Sequence, residues 1–289
     1  VCLFVNDTAS DMVLQTRSKL DVKLVAMRCA GFDRVDTSAA TAYNLTVARV
    51  PAYSPYAVAE MAVALLMAVN RKIALASARV KMANFKLDSS LMGMDIYGKT
   101  VAVMGTGKIG GILCKIVLGF EAKLVCYDVF ESEEVKKMGG VYKSKEEIYK
   151  EADVIFMMMP LLKPTYHTIN EESLSLMKKG VIIINTSRGG LIDTKALLKA
   201  IRSGIVSGVG MDVYENEADY FFQDWSGKNV QDPDLLALLG EPRVLLTAHQ
   251  AFFTQEAVEN IVSTTLRNID DFHDGKTGAA HPNSCLPTK

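Results

Sequence analysis

From Gly98 onward, short apolar runs alternate with longer mixed stretches whose apolar positions recur at helical spacing. The runs lie at residues 101–104 (VAVM), 124–127 (LVCY), 154–159 (VIFMMM), 181–184 (VIII), 209–213 (VGMDV) and 244–246 (VLL), and stretches such as 171–179 and 194–203 supply the intervening helices. Near-continuous apolar strands separated by helices predict a parallel sheet covered on both faces, a doubly wound α/β domain. Ahead of it, residues 1–52 carry strand-like runs at 1–5 (VCLFV), 24–27 and 46–50, with a glycine turn at Gly31, and predict a smaller α/β domain. Ser54 and Pro55 offer an N-cap and a first-turn proline to an apolar helix over 57–69, buried or at an interface. Residues 254–274 read as an amphipathic helix that packs back on the first domain. The expected organisation is discontinuous: 1–52 with 253–289 as the small domain, and 53–252 inserted between them. The stretch 275–289, rich in Gly, Pro and Asn, reads as poorly ordered.

Composition narrows the function classes. A chain of 289 residues with 49% hydrophobic and 22% charged residues fits a globular protein of two domains. A net charge of −1 gives no electrostatic footprint for nucleic acid or an anionic membrane. The apolar stretch 57–69 carries Glu60 and is too short to span a bilayer. The five cysteines, Cys2, Cys29, Cys114, Cys126 and Cys285, have no metal-ligand spacing. They read as buried free thiols in a reducing, cytoplasmic setting. The opening run VCLFV is a strand with nothing before it, so a preceding strand–helix unit is expected, and any targeting peptide with it.

The first chemical motif is Gly105-Thr106-Gly107-Lys108-Ile109-Gly110, which follows the VAVM run and opens a helix to about residue 118. Asp128 closes the next strand. That context is the one a dinucleotide-binding turn requires. Gly105 permits the tight turn, Gly107 lets backbone approach a pyrophosphate, and Gly110 allows close packing of the helix. The helix N-terminus attracts the phosphates. Asp128 suits the ribose hydroxyls and repels a 2′-phosphate, so NAD is expected over NADP.

The second constellation lies where an open parallel sheet binds its ligands, past the carboxyl ends of the strands. Arg188, in NTSRGG, has the planar fork for a carboxylate and a neighbouring carbonyl oxygen. His249, in LTAHQ, is the best proton donor of the four histidines, because His167, His273 and His281 lie in polar surroundings and read as surface residues. A carboxylate paired with His249 would favour its imidazolium near neutrality. Asp212, Glu215 and Glu217 all compete for that role by spacing. Holding a carboxylate, polarising a carbonyl and delivering a proton are what reduction of a 2-keto acid needs besides hydride.

At these residues the chain resembles the D-isomer-specific 2-hydroxyacid dehydrogenase family, closest to its D-lactate dehydrogenase branch. The landmarks are MRCAGFDRVD (27–36), ARVPAYSPYAVAE (48–60), VMGTGKIG, NTSRGGLID (185–193), GMDVYENE (210–217) and TAHQAFFT (247–254). The resemblance implies a Rossmann-type NAD-binding domain inserted in a flavodoxin-like substrate domain. It implies Arg188 as the substrate-binding arginine, His249 as the acid/base and Glu217 as the acid paired with it. It also implies that backbone at Ala30 and Gly31 receives the substrate carboxylate, with the Tyr53 hydroxyl aimed at the same group. Pro160 would lie under the adenosine, Thr186 near the nicotinamide half of the cofactor, and Asp212 near the carboxamide. Family members begin with some forty-odd further residues, and the helix after Ser54 resembles the family's dimer-forming region, so a homodimer is expected.

The acidic, aromatic segment 218–227 resembles the lactate branch, and Phe252 would set an apolar ring beside a small methyl group. Pyruvate is the expected substrate. Alternatives are a bulkier 2-keto acid, a non-catalytic NADH-sensing protein, since this fold also serves transcriptional corepression, and a truncated, inactive product.

Overall fold

A computed structural model of the chain describes residues 1–287. It divides into two compact units, Val1–Ser54 with Phe252–Lys289, and Pro55–Ala251.

The smaller unit begins β1 (Cys2–Leu3), α1 (Asp11–Lys19), β2 (Leu24–Met27), α2 (Thr37–Ala42) and β3 (Thr46–Ala48). The strands form a parallel sheet in the order β1-β2-β3. The expected strand over 1–5 stops at Leu3 because the chain turns there. Asp7 N–H donates to the Phe4 carbonyl, and the Asp7 carboxylate accepts from Phe4 N–H at 2.7 Å. Leu14, Val25, Met27, Leu45 and Val47 fill the core of this unit.

The larger unit opens with α3 (Pro55–Asn70), whose first residue is the expected proline, and α4 (Ile73–Lys81). Then follow β4 (Thr100–Met104), α5 (Lys108–Gly119), β5 (Lys123–Tyr127), α6 (Glu133–Lys137), β6 (Val141–Tyr142), α7 (Lys145–Glu151) and β7 (Val154–Met157). The unit ends with α8 (Glu171–Ser175), β8 (Val181–Asn185), α9 (Thr194–Arg202), β9 (Val206–Met211), α10 (Pro233–Leu239) and β10 (Val244–Leu246). All seven strands are parallel, in the order β10-β9-β8-β7-β4-β5-β6. The doubly wound expectation holds. The chain runs outward from β4 to β6, then returns to build β7–β10 on the other side, so the switch point lies between β4 and β7.

Two cores explain the near-continuous apolar strands. On one face Ile148, Leu174, Leu197, Ile201 and Leu235 from the helices cover the sheet. On the other, Leu65, Leu66, Leu113 and Val117 do so. Helix α3 lies close on β9 because two strand positions are glycine: a Cβ on Gly208 would fall 2.5 Å from Val69 Cγ1, and one on Gly210 would fall 2.9 Å from Leu65 Cβ.

The chain then returns to the smaller unit through α11 (Gln255–His273), capped by the Thr254 hydroxyl. Beyond it the expectation of disorder fails. Ser284 bridges Ala48, Cys285 N–H donates to Val47 O at 2.9 Å, and His281 and Leu286 are buried. Glycine and proline there shape turns against β3. Thr288 and Lys289 lie outside the described residues. Among the described residues no single helix is long and apolar enough to cross a membrane, although the bent pair α3–α4 matches by length and composition alone.

Candidate active site

The glycine-rich turn sits at the carboxyl end of β4, an interior strand between β7 and β5. Gly105 has φ +102, a left-handed conformation that side chains rarely adopt, and a Cβ there would strike the Met158 carbonyl at 2.7 Å. A Cβ on Gly110 would fall 1.9 Å from Gly105 O, so α5 can approach the turn only without one. A Cβ on Gly107 would meet open space. Gly107 is the N-cap of α5 with no side-chain cap, and Gly107 and Lys108 are exposed, with Ile109 half-buried. The turn thus presents backbone and a helix N-terminus, the donor set that suits a pyrophosphate.

Asp128 follows β5 and leans back on that turn. Its Oδ2 accepts from Thr106 N–H at 2.6 Å and from the Thr106 hydroxyl at 3.2 Å. The Tyr142 hydroxyl lies 2.7 Å from Thr106 Oγ1 and accepts from Ser132 N–H at 2.8 Å. Tyr142 was not anticipated. It belongs to β6, a two-residue edge strand whose pattern is too short to read. Pro160, exposed beyond β7, accepts from the Thr165 hydroxyl through its carbonyl. Thr186, buried beyond β8, lies 3.8 Å from the Met158 sulfur.

Arg188 stands two residues farther on, at the entry to the 3₁₀ turn Gly189–Leu191. The turn is tied down by Asn185, which accepts from Ser187 N–H at 3.0 Å and donates to Arg188 O at 2.9 Å. The Ser187 hydroxyl donates to Met159 O, and Arg188 Nη1 donates to Ser187 O at 2.9 Å. Gly189 is required here: a Cβ would fall 2.0 Å from the Tyr214 carbonyl carbon. The loop after β8 therefore lies directly on the loop after β9.

The three competing carboxylates separate cleanly. Glu217 Oε1 is 2.6 Å from His249 Nδ1, both side chains are largely buried, and its Oε2 accepts from Tyr214 N–H at 3.0 Å. Asp212 is fully buried and accepts from the Thr247 hydroxyl, Gln250 N–H and Ala251 N–H at 2.5, 2.9 and 2.7 Å. Burial pushes its carboxyl above the usual range, against the pull of those donors and of nearby His249. Asp212 thus shapes the turn that carries His249. Glu215 faces elsewhere, toward His167.

His249 has φ +51, and its N–H donates to Asp212 O at 2.6 Å. Its Nδ1 faces Glu217, which orients Nε2 away from the carboxylate. The Phe222 ring, also with positive φ, lies 6.1 Å from the imidazole. Sequence reading missed Phe222, Thr247 and Asn185; each acts through a loop conformation that the strand pattern does not encode. It also misplaced two histidines. His281 is buried, its Nε2 is 3.0 Å from Asn268 O, and its Nδ1 accepts from Asn283 N–H. His167 is half-buried with Nε2 3.0 Å from Glu215 Oε2. His273 is exposed as expected.

The remaining residues lie in the smaller unit. Ala30 O accepts from Arg49 Nη1 at 2.8 Å, and Gly31 O accepts from the Cys29 thiol at 3.2 Å, which fixes the loop beyond β2. Tyr53 and Phe252 meet edge to face at 6.1 Å, and the Tyr53 carbonyl accepts from Asn260 of α11.

Residues 63–251 match the model of the D-isomer specific 2-hydroxyacid dehydrogenase NAD-binding domain. The chain is 48% identical to the 2-hydroxyacid dehydrogenase homolog 1 of Schizosaccharomyces pombe, over 94% of this chain and 82% of that protein. It is 45% identical to the D-lactate dehydrogenase of Escherichia coli, over 96% of this chain and 84% of that one. The structure of an Aquifex aeolicus D-lactate dehydrogenase complexed with NAD and lactic acid superposes with a TM-score of 0.91 at 34% identity, covering 100% of this chain and 86% of that one.

Proposed function

The chain belongs to the D-isomer-specific 2-hydroxyacid dehydrogenase family and is an NAD-dependent enzyme of that family; from that premise we propose that it reduces pyruvate to D-lactate, with His249 as the proton donor. The observation that carries the reading is the 2.6 Å contact of Glu217 Oε1 with His249 Nδ1 beyond β9 and β10. A carboxylate on one ring nitrogen fixes the tautomer and leaves the other to serve the substrate.

The bound cofactor supplies the hydride. Gly105, Thr106, Gly107, Lys108, Ile109 and Gly110 would hold its pyrophosphate, and Asp128 its ribose. Pro160, Thr186 and Asp212 would flank it. Arg188 would grip the substrate carboxylate and the carbonyl oxygen, drawing electron density from C2. His249 Nε2 would then protonate the new alkoxide, while Glu217 stabilises the imidazolium. Backbone at Ala30 and Gly31 and the Tyr53 hydroxyl would hold the carboxylate, and the Phe252 ring would meet the methyl group. The aromatic pairing of Tyr53 with Phe252 and the lactate-active relatives support a small substrate. A homodimer is part of the reading, supported by apolar side chains exposed along one stretch of the larger unit: Ile73, Val80, Met82, Phe85 and Leu87.

The test is NADH oxidation with pyruvate and with 2-ketoisocaproate, and chiral analysis of the product. Faster turnover of pyruvate to the D isomer is expected. Preference for 2-ketoisocaproate would move the substrate to a bulkier acid. NADH binding with turnover of neither would favour a sensing role.

A further inference from the structure

Among the described residues, eight non-glycine residues have positive φ: Asp21, Asn44, Lys72, Ala83, Glu121, His167, Phe222 and His249. The first five each follow the C-cap of an α-helix, α1 to α5 in turn, where a left-handed residue closes the last turn. The last three follow no α-helix, although His167 follows the C-cap of the 3₁₀ turn Lys163–Thr165. Two of them, Phe222 and His249, face each other at the candidate site. His167 is the third, and the mechanism has no use for it.

His167 is bonded on several sides. Its Nε2 is 3.0 Å from Glu215 Oε2, its Nδ1 is 3.9 Å from Asp193 Oδ2, and its ring stacks on Tyr166 at 3.9 Å. Its N–H donates to Gly190 O at 2.9 Å, and its carbonyl accepts from Asn170 Nδ2 at 3.0 Å. Glu215 in turn accepts from Thr194 N–H through Oε1. Gly190 belongs to the turn entered at Arg188, and Glu215 stands two residues before Glu217. These are the two loops that touch where Gly189 meets the Tyr214 backbone. The backbone N–H of His167 therefore holds the first loop and its imidazole the second, from outside their contact.

We propose that His167 is a positioning residue, whose bonds to Glu215 and Gly190 set the placement of Arg188 relative to Glu217. The inference rests on the roles proposed above for Arg188, Glu217 and His249. Steric contact at Gly189 keeps the loops from approaching further. The His167–Glu215 bond keeps them from parting.

The test uses the 289-residue chain carrying His167→Ala, His167→Gln, Glu215→Ala, Glu215→Gln or the double alanine variant, with kcat, pyruvate KM, NADH affinity and melting temperature measured for each. His167→Ala should lower kcat/KM by about 10²-fold, the scale of a displacement of about 1 Å in a reacting group, while NADH affinity is unchanged. His167→Gln, whose amide N–H can reach the same carboxylate, should restore most of the loss. The double alanine variant should be no worse than Glu215→Ala alone, because that change already removes the His167–Glu215 bond together with the Thr194 N–H bond. Unchanged kcat/KM in His167→Ala, or additive losses in the double variant, overturns the proposal. So does a fall in NADH affinity that matches the fall in kcat/KM. If His167→Ala does not fold, Glu215→Ala decides: it removes the same bond from the other side, so reduced kcat/KM at an unchanged melting temperature supports the proposal, and full activity overturns it. His249→Ala run in parallel separates the two readings, because full turnover there refutes the underlying roles whatever His167 does.

Discussion

The turn between β4 and α5 and the cluster beyond β8, β9 and β10 belong to one sheet and are built on opposite principles. The first is made of backbone. Its three glycines fall within six residues, its fit is steric, and most of its parts lie within residues 105–128, with Tyr142 and the Met158 backbone closing on it from outside. The second is made of side chains drawn from Asn185 to Ala251 and joined by hydrogen bonds across three loops. It also holds His249 and Phe222 in left-handed conformations that cost about 1–2 kcal/mol each for a non-glycine residue. A binding turn can be specified locally, whereas a proton-handling site needs groups from distant positions and restraints to hold them there.

The comparison can be broken hardest at His249. His249→Ala removes the proposed proton donor and should lower turnover by about 10²–10⁴-fold, with NADH affinity nearly unchanged because the glycine turn is intact. Stopped-flow turnover and fluorescence titration check this, and full turnover would refute the assignment. Gly110→Ala addresses the other half. Its Cβ would fall 1.9 Å from Gly105 O, and overpacking of this kind costs about 1–3 kcal/mol. NADH affinity and melting temperature should fall together; a variant that binds NADH normally would show that the turn tolerates displacement.

The smallest effect is at Asp212. Its folded pKa is raised, first by burial, so its proton is held more tightly in the fold than in the unfolded chain. The associated stability is complete below the unfolded value of 3.8 and is lost as pH rises through the folded one. Relative to Asp212→Asn, the wild-type chain should therefore lose stability over that window, by at most about 1.4 kcal/mol per pH unit. Melting curves of both proteins against pH measure it, and a constant difference would refute the shift.

The same contrast explains what the sequence disclosed. The apolar runs located the strands because both faces of the sheet are covered, and the glycine motif was legible because its parts are adjacent. The partner of His249 was ambiguous among Asp212, Glu215 and Glu217, since strand periodicity carries no information once the chain turns. Each of the three is paired with a different group through loop geometry. His167 and His281 looked like surface residues because their neighbours in sequence are polar, yet their neighbours in space are Glu215 and Asn268. The stretch after Gly275 was misread because Gly, Pro and Asn mark tight turns as readily as disorder.

Strand β10 has one neighbour, β9, and its three residues are only half-buried, whereas β4 lies between β5 and β7 with four of its five residues fully enclosed. Local opening in a protein draws first on elements with few buried contacts. Thermal fluctuation will therefore loosen the strand leading to His249 long before it reaches the glycine turn. On warming, such a molecule keeps its glycine turn after the imidazole has drifted from its carboxylate, so under the roles proposed above loss of catalysis precedes loss of the fold.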